Sequence, residues 1–524
     1  MNSIAYVVIV VLYVLVMLAV GYWCMKRTRD VGDFFLGGRK LGPWMSAFAY
    51  GTTYFSAVLF IGYAGKLGWG FGIHTMWIVL GNTFIGTLLA WLVLAGRTRD
   101  MTVRLNAITL PEFLSARYGH KPLQVVAALV VFVFLVPYSA SVLMGLSYLF
   151  EMTLHISYES ALYFLTGLTA VYLVMGGYFA VAVSDFIRGI VEFAGVLLMV
   201  YLLAHRPETG GFFNATHQLA SDPANAPGLA AVKQLGAGTC LAMSAPGWLT
   251  LLALVMITSF GPWALPQMVQ KFYSIRSQAD VKRAMTIATI FALFMSFGAY
   301  YSGALTHLFF TTPKTDLAPI ADVATGKPNL DLLMPFFITT YVPPWLVLVI
   351  LLLVFSASMS SLSSLVLVSS SAIAIDLLGA SGQRERNPRR TMILLRMLCA
   401  VFVALSLCIA LSKVDVIVNL MVIAWGALSG AFLAPYLYGL FWRRATKAGA
   451  YAGMVSGVGS AVGLFLLWGK PLIPVAGAIA MGVPMLTLPA VSFLTAPPRS
   501  EILTTAFGDA ARRAEEPASA VAVR

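Results

Sequence analysis

The stretch that decides the fold is YGTTYFSA at residues 50–57, inside an apolar run that covers 44–65. Gly51 is followed by small hydroxyl residues, which favour an interruption of the helix. A second apolar run, 247–270, contains TSFGPWALPQ at 258–267, and a proline inside a helix removes a backbone hydrogen bond. Two interrupted membrane helices at corresponding positions indicate a binding site, because the freed carbonyls can coordinate ions.

The composition places the whole chain in a membrane. Of the 524 residues, 59% are hydrophobic and 10% charged, whereas soluble domains carry about 25% charged residues. A bilayer core requires roughly 20 apolar residues per helix, so the sequence predicts an all-α polytopic membrane protein of about 13 transmembrane helices. The predicted spans are 3–25, 44–65, 72–95, 123–150, 157–175, 179–204, 247–270, 284–310, 345–375, 391–412, 416–442, 448–468 and 472–495. They leave no room for a soluble catalytic domain.

The basic residues predict the orientation in the membrane. With the N-terminus outside, 26 of the 34 Lys and Arg residues lie in inner loops and the C-terminal tail, seven lie on the outer side, and Arg188 lies within a span. The positive-inside rule therefore favours an outer N-terminus and a cytoplasmic C-terminus in the cell membrane. Because insertion explains the excess over 21 acidic residues, the charge does not require a nucleic-acid partner.

The two interrupted runs are five spans apart, which predicts two repeats of five helices. An odd number of spans per repeat makes the repeats inverted in the membrane. The long outer loops, 205–246 and 311–344, are expected to form short helices or irregular chain. The predicted organisation is 1–43 as first helix and inner loop, 44–204 as first repeat, 205–246 as outer loop, 247–442 as second repeat, 443–496 as the last two spans, and 497–524 as a disordered or loosely helical tail.

Ionisable residues inside a membrane are costly and indicate function by default. The span 179–204 carries Asp185, Arg188 and Glu192 at i, i+3 and i+7, so these side chains share one face that should point into the protein. Two interpretations stay open: Asp185 and Arg188 form a structural ion pair, or Asp185 takes part in ion coupling.

The span 345–375 contains the hydroxyl-rich stretch FSASMSSLSSLVLVSSSA at 355–372. Ala357, Ser360, Ser361 and Ser364 lie on one stripe of this helix, with Ser363 beside it. Uncharged oxygen donors suit a monovalent cation that must be released again. The final hydroxyls, at 369–371, are better explained by bonding to the preceding turn or by close helix packing.

Six motifs together resemble the sodium:solute symporters, which have the LeuT-like fold, and among them the sodium/proline and sodium/pantothenate branch. They are LGPWMSAFAYGTTYFSA (41–57), LPEFLSARYG (110–119), GGYFAVAVSDFIRG (176–189), LPQMVQKF (265–272), SMSSLSS (358–364) and APYLYGLFWRRATKAGA (434–450). The resemblance covers nearly the whole chain and implies a LeuT-like core of two inverted five-helix repeats.

The resemblance also implies binding residues. A first sodium site would use the carbonyls of Thr52, Phe55 and Ala357 and the hydroxyls of Ser360 and Ser361. A second sodium site would use Asp185, Ser360, Ser363 and Ser364, so one or two co-transported Na+ ions are expected. The solute would lie near Tyr54, Ser56, Ala57, Tyr138, Ser139, Thr258, Pro262 and Pro266.

One departure from the family bears on the solute. The resembling proline carriers have an aspartate where this chain has Tyr54, which favours the pantothenate-like side of the branch. No lysine or arginine inside the membrane is expected to be available to pair a solute carboxylate, since Lys66 lies at the outer end of its span. Backbone amides at a half-helix N-terminus are expected to take that role.

The sequence therefore predicts a sodium-coupled symporter that imports a small carboxylate or zwitterion, pantothenate- or amino-acid-like, by alternating access. The alternatives are a proton-coupled carrier of the same fold and a membrane solute sensor, which the short tail disfavours. An enzyme is not expected, because the chain has no HExxH or loop GxSxG motif. The expected partners are the solute, Na+ and the lipid bilayer, with no nucleic acid and no obligate protein partner.

Overall fold

The computed structural model describes residues 3–25, 37–235, 243–310, 318–321, 328–377 and 388–508. Helices of eight residues or more are numbered here in chain order. They are α1 Ser3–Met25, α2 Pro43–Tyr54, α3 Val58–Arg104, α4 Leu110–Tyr118, α5 Lys121–Leu154, α6 Tyr158–Ala204, α7 Phe212–Ser221, α8 Gly247–Phe260, α9 Pro266–Tyr273, α10 Gln278–Phe309, α11 Leu333–Tyr341, α12 Pro344–Ser371, α13 Pro388–Ser412, α14 Ile417–Phe441, α15 Lys447–Trp468, α16 Ile473–Leu494 and α17 Ser500–Phe507. Shorter helical turns are Gly37–Arg39, Pro223–Asn225, Pro227–Ala230, Gly261–Trp263, Ala318–Ile320, Ala372–Leu377 and Lys470–Leu472.

The all-helical, multi-pass architecture is confirmed, but the count of thirteen spans is not. Within the ranges just given, ten helices are long and apolar enough to cross a membrane, or eleven if the bent pair α8 and α9 counts as one span. One difference is that α3 continues through the predicted boundary between 44–65 and 72–95. The other is that α6 runs without a break through the predicted spans 157–175 and 179–204. The three residues between these spans are too few to form a loop outside the helix. A straight helix of these 47 residues would be about 70 Å long, so each half still has the length of a span.

Both predicted interruptions are confirmed. Helix α2 ends at Tyr54, and Phe55 has extended backbone angles (φ −108°, ψ 108°) before α3 begins. Helix α8 is followed by the turn Gly261–Trp263 and an extended Leu265, and α9 is bent by 41° from α8. Gly51 itself is helical, and its importance lies in packing: a Cβ there would lie 2.3 Å from the Phe291 ring of α10.

The hydroxyl-rich helix lies at the centre of the bundle. In the most apolar stretch of each helix, 83% of the α12 residues and 94% of the α14 residues are buried, against 28% in α1 and 22% in α15. Helix α12 packs against α2, α5, α6 and α9. The serines of α12 therefore face the two interrupted helices and the charged face of α6.

The predicted outer loop and the tail differ in part from expectation. The loop 205–246 contains the expected short helices, but also two antiparallel strands, Val232–Leu235 and Met243–Pro246, which had not been predicted. The tail, expected to be disordered or loosely helical, forms α17. This helix is held by a hydrogen bond of 3.0 Å from Arg104 Nε to the Ala506 carbonyl, and residues 509–524 lie outside the described ranges.

Candidate functional site

The serines of α12 face the end of α2. Ser361 Oγ lies 3.3 Å from the Thr52 carbonyl and 3.2 Å from the Thr53 carbonyl. These carbonyls belong to the last turn of α2, where the helix interruption leaves them without their usual amide partners. Ser360 Oγ lies 2.9 Å from Thr52 Oγ1 and 2.7 Å from Asp185 Oδ1. The structure thus brings together oxygen atoms from three helices in a fully buried cluster.

The other predicted ligands of the first sodium site lie beside this cluster. Phe55 is the extended residue that follows α2, and Ala357 lies one turn before Ser361 on α12. Close packing of α6 against α2 is possible because Gly189 has no side chain: a Cβ there would lie 2.3 Å from the Phe48 ring. A glycine one turn after Asp185 therefore allows the carboxylate to approach the hydroxyls.

The residues predicted for a second sodium site are brought together in part. Ser364 Oγ lies 3.1 Å from Thr53 Oγ1, and Asp185 contacts Ser360 as described. Ser363 Oγ instead donates to the Met359 carbonyl of its own helix at 2.6 Å. Further along α12, the hydroxyls of residues 370 and 371 also bond to the preceding turn, which confirms their structural interpretation.

Asp185 has two cationic partners. Its carboxylate lies 3.8 Å from Arg188 Nη1 and 3.7 Å from Lys271 Nζ. All three side chains and that of Glu192 are buried, so the predicted inward orientation of this face is confirmed. The buried position of Lys271 had not been predicted. Lys271 had been assigned to an inner loop, but α9 begins at Pro266 and carries it into the bundle.

Aromatic side chains lie around the predicted solute position. The Tyr54 ring stacks on Phe55 at a centroid distance of 4.4 Å, and its hydroxyl donates to the Thr258 carbonyl, which links the two interruptions. Trp425 lies 6.2 Å from the Tyr54 ring and 5.8 Å from the Tyr138 ring. Sequence reasoning missed Trp425, because it lies in an ordinary apolar span with no interruption near it.

The remaining predicted solute residues are also buried, and all of them except Ser139, which is on α5, belong to the chain segments at the two interruptions. Ser56 Oγ accepts a hydrogen bond from the Val58 amide at 3.2 Å and so caps the start of α3. The other members are Ala57, Ser139, Thr258, Pro262 and Pro266. Pro266 also lines a small cavity together with Gln270 and Asp376.

A buried amide beside the second interruption was also missed. Gln267 is fully buried, and neither its Oε1 nor its Nε2 has a hydrogen-bond partner among the described residues. A buried polar group without a partner costs free energy unless a ligand or water satisfies it. Its position directly after Pro266 is the signal that would have identified it.

Polar contacts close both ends of this centre. On the predicted outer side, Lys66 Nζ donates to Asn419 Oδ1 at 3.0 Å, and Asn419 Nδ2 donates to Asp415 Oδ1 at 2.9 Å. On the predicted inner side, Arg39 donates to the Tyr273 carbonyl at 3.1 Å and to the Ala107 carbonyl at 2.8 Å. The residues between these two sets of contacts are also buried.

Asp331, next to the outer contacts, predicts a pH effect. Burial raises the pKa of Asp331 to about 6, although the Ile417 amide and Lys66 lower it, and an unfolded aspartate has a pKa of about 3.9. The native state thus binds this proton more tightly, so this residue's contribution to stability falls as the pH rises from about 4 to about 6. Asp331→Asn keeps an acceptor for the Ile417 amide but does not titrate. We expect the Tm of the wild-type protein minus that of the variant to be smaller at about pH 7.5 than at about pH 4.5. An equal Tm difference at both pH values would contradict this role of Asp331.

Comparisons with known proteins identify the family and the fold. Residues 34–457 match the sequence model described as the Sodium:solute symporter family. The chain is 28% identical over 474 residues to the osmoregulated proline transporter OpuE of Bacillus subtilis, covering 89% of each chain. It is 30% identical over 454 residues to a sodium/proline symporter of Haemophilus influenzae, covering 85% of each. The structure resembles that of a Na+-coupled sialic acid symporter in a substrate-bound outward-open state, with a TM-score of 0.78, 18% identity, and coverage of 94% and 98% of the two chains.

Proposed function

This chain belongs to the sodium:solute symporter family, and we propose that it imports a small proline-like zwitterion together with sodium by alternating access. It is a multi-pass membrane transporter of the LeuT-like fold that couples a solute to sodium, not an enzyme. The observation that carries the proposal is the meeting of Ser360 and Ser361 with the interrupted end of α2 at Thr52.

The first sodium ion binds between α2 and α12. Its ligands are the carbonyls of Thr52, Phe55 and Ala357 and the hydroxyls of Ser360 and Ser361. Support comes from the distances of 2.9 and 3.3 Å that already join the hydroxyls to Thr52. Because all the ligands are uncharged, the ion is held weakly enough to be released inside. Asp185, Ser360, Ser363 and Ser364 form a second cation position beside it.

The solute is proposed to be amino-acid-like. The relatives compared above are named as proline carriers, which favours this class over a pantothenate-like solute despite the departure at Tyr54. The rings of Tyr54, Tyr138 and Trp425 offer apolar and aromatic surface for a small ring and its amine. The N-terminus of α3, at Val58, lies at the interruption, and the positive end of its helix dipole favours a carboxylate there.

Transport by purified protein in proteoliposomes tests the proposal. We expect an inward sodium gradient to drive accumulation of L-proline, and choline substitution to abolish it even when an inward proton gradient is imposed. Uptake driven by protons without sodium would favour the proton-coupled alternative. Pantothenate and neutral amino acids in parallel assays identify the class, and sodium-dependent pantothenate uptake without proline uptake would overturn the proposed solute.

Tyr54 is expected to determine solute affinity. Tyr54→Phe removes the hydroxyl that links the two interruptions, and Tyr54→Ala also removes the ring that faces Trp425. We expect the solute KM to rise about 3- to 10-fold for the first variant and more for the second, since a buried hydrogen bond contributes about 1 kcal/mol. Sodium affinity measured without solute should change little. Lost sodium binding with intact solute binding would contradict this role.

The orientation is also part of the proposal. The N-terminus is placed outside and the C-terminus in the cytoplasm of the cell membrane, because basic residues concentrate in the corresponding loops. We expect a reporter fused after Arg524 to be active in the cytoplasm and an epitope inserted near Asp222, an exposed position, to be accessible from outside. Finding both markers on one side would contradict this topology.

A further inference from the structure

Lys271 lies where the resemblance placed a second sodium ion. Its side chain is 0% exposed, and Nζ lies 3.7 Å from Asp185 Oδ2. The same nitrogen donates a hydrogen bond of 3.0 Å to Ser364 Oγ. Asp185 and Ser364 are two of the four residues of the second cation position, so the lysine ammonium already engages part of its ligand set.

The side chains around Lys271 Nζ fit an ammonium group. The face of the Tyr178 ring lies 5.1 Å from Lys271 Nζ, a geometry that attracts a positive charge. Ser363, which would serve as a sodium ligand, donates its proton to the Met359 carbonyl. The other oxygen of Asp185, Oδ1, lies beside Ser360. The ammonium thus contacts carboxylate, hydroxyl and aromatic groups at one position.

The position has no deficit of positive charge. Asp185 and Glu192 contribute two negative charges at most, and Arg188 and Lys271 contribute two positive charges, all on buried side chains. A second Na+ at the Asp185 carboxylate would lie close to the Lys271 ammonium, which is already 3.7 Å from that carboxylate. Two like charges that share one buried carboxylate repel each other strongly.

We propose that the ammonium of Lys271 is the cation of the second position, so that each solute molecule is carried with one sodium ion, bound between α2 and α12. This inference rests on the proposed sodium-coupled function and specifies its stoichiometry. It also joins α9 to α6 by an ion pair with Asp185 and to α12 by a hydrogen bond with Ser364.

The flux ratio in proteoliposomes tests this inference. Initial rates of ²²Na+ and L-proline uptake are measured in the same vesicles, and the membrane potential that stops net solute flux provides an independent ratio. We expect one sodium per proline and a sodium Hill coefficient of about one. A ratio of two in the wild-type protein would overturn the inference. Proline uptake without any sodium flux would instead overturn the proposed function, so the two failures are distinguishable.

The Lys271→Met variant provides a second test of the inference, because methionine is neutral and fills a space similar to that of lysine. With the ammonium removed, Asp185 can accept an external cation, and we expect the flux ratio to rise from one to two. Lys271→Arg, the matched control, keeps the charge and should keep a ratio of one. A ratio of one in a transporting Lys271→Met variant would contradict the assignment of this position to the lysine. If that variant does not fold, the wild-type ratio decides.

Discussion

Replacing Ser360 and Ser361 together by alanine is expected to raise the sodium concentration for half-maximal uptake by about 10- to 100-fold. Each substitution removes one oxygen ligand of the proposed first sodium ion without adding bulk. Each tenfold loss of sodium affinity corresponds to about 1.4 kcal/mol of binding free energy. The variant should still insert into the membrane, since the change only shortens side chains in a buried interface. Uptake of L-proline across a range of sodium concentrations measures the effect.

A matched control lies on the same helix. Ser370 and Ser371 also carry buried hydroxyl groups, but these donate to carbonyls of the preceding turn at 2.6 and 2.7 Å. Their double alanine variant should keep the wild-type sodium dependence. The proposed first site fails if the Ser360/Ser361 variant keeps its sodium dependence and loses only stability, because its hydroxyls would then serve helix packing.

Asp185→Asn is expected to destabilise the folded protein severely. The substitution keeps size and hydrogen bonding to Ser360 but leaves Lys271 and Arg188 with one negative charge fewer. Breaking a buried ion pair in this way costs about 3–5 kcal/mol. We expect a large drop in the Tm of the purified protein and in the amount of folded protein recovered.

The double variant Asp185→Asn with Lys271→Met separates an ion-pair role from a sodium-ligand role. Removing one cation along with the carboxylate restores the balance of charge, so much of the lost stability should return. Asp185→Asn with Arg188→Gln makes the same test on the other partner. If neither second substitution restores stability, and the loss instead follows the sodium concentration, Asp185 acts as a ligand of a transported ion.

The sequence predicted the interruptions of both central helices because proline, glycine and hydroxyl residues mark them directly. The stripe of serines on α12 was equally readable, since a run of hydroxyls as dense as SMSSLSS at 358–364 exceeds what helix packing requires. The meeting of Thr52 with Ser360 and Ser361 required the resemblance, because residues about 300 positions apart share no local pattern.

The features that could not be predicted from the sequence depend on which residues lie close together in the folded protein. Lys271 was assigned to an inner loop because the positive-inside rule counts basic residues near span ends and cannot locate their side chains. The bend of 41° after α8 carries α9, and with it the lysine, back into the bundle. Trp425 lies on a span that has no charged residue, so only packing against Tyr54 and Tyr138 identifies it. The continuous helices α3 and α6 were divided because hydropathy reports span length and not backbone continuity.

The coupling of the two binding events is the central claim, and equilibrium binding of ²²Na+ to purified protein with and without saturating L-proline tests it most directly. Linkage requires that the solute tighten sodium binding by the same factor as sodium tightens solute binding, typically about 5- to 150-fold. We predict that L-proline lowers the sodium Kd of the wild-type protein within this range. An identical sodium Kd in the presence and absence of the solute would contradict the account.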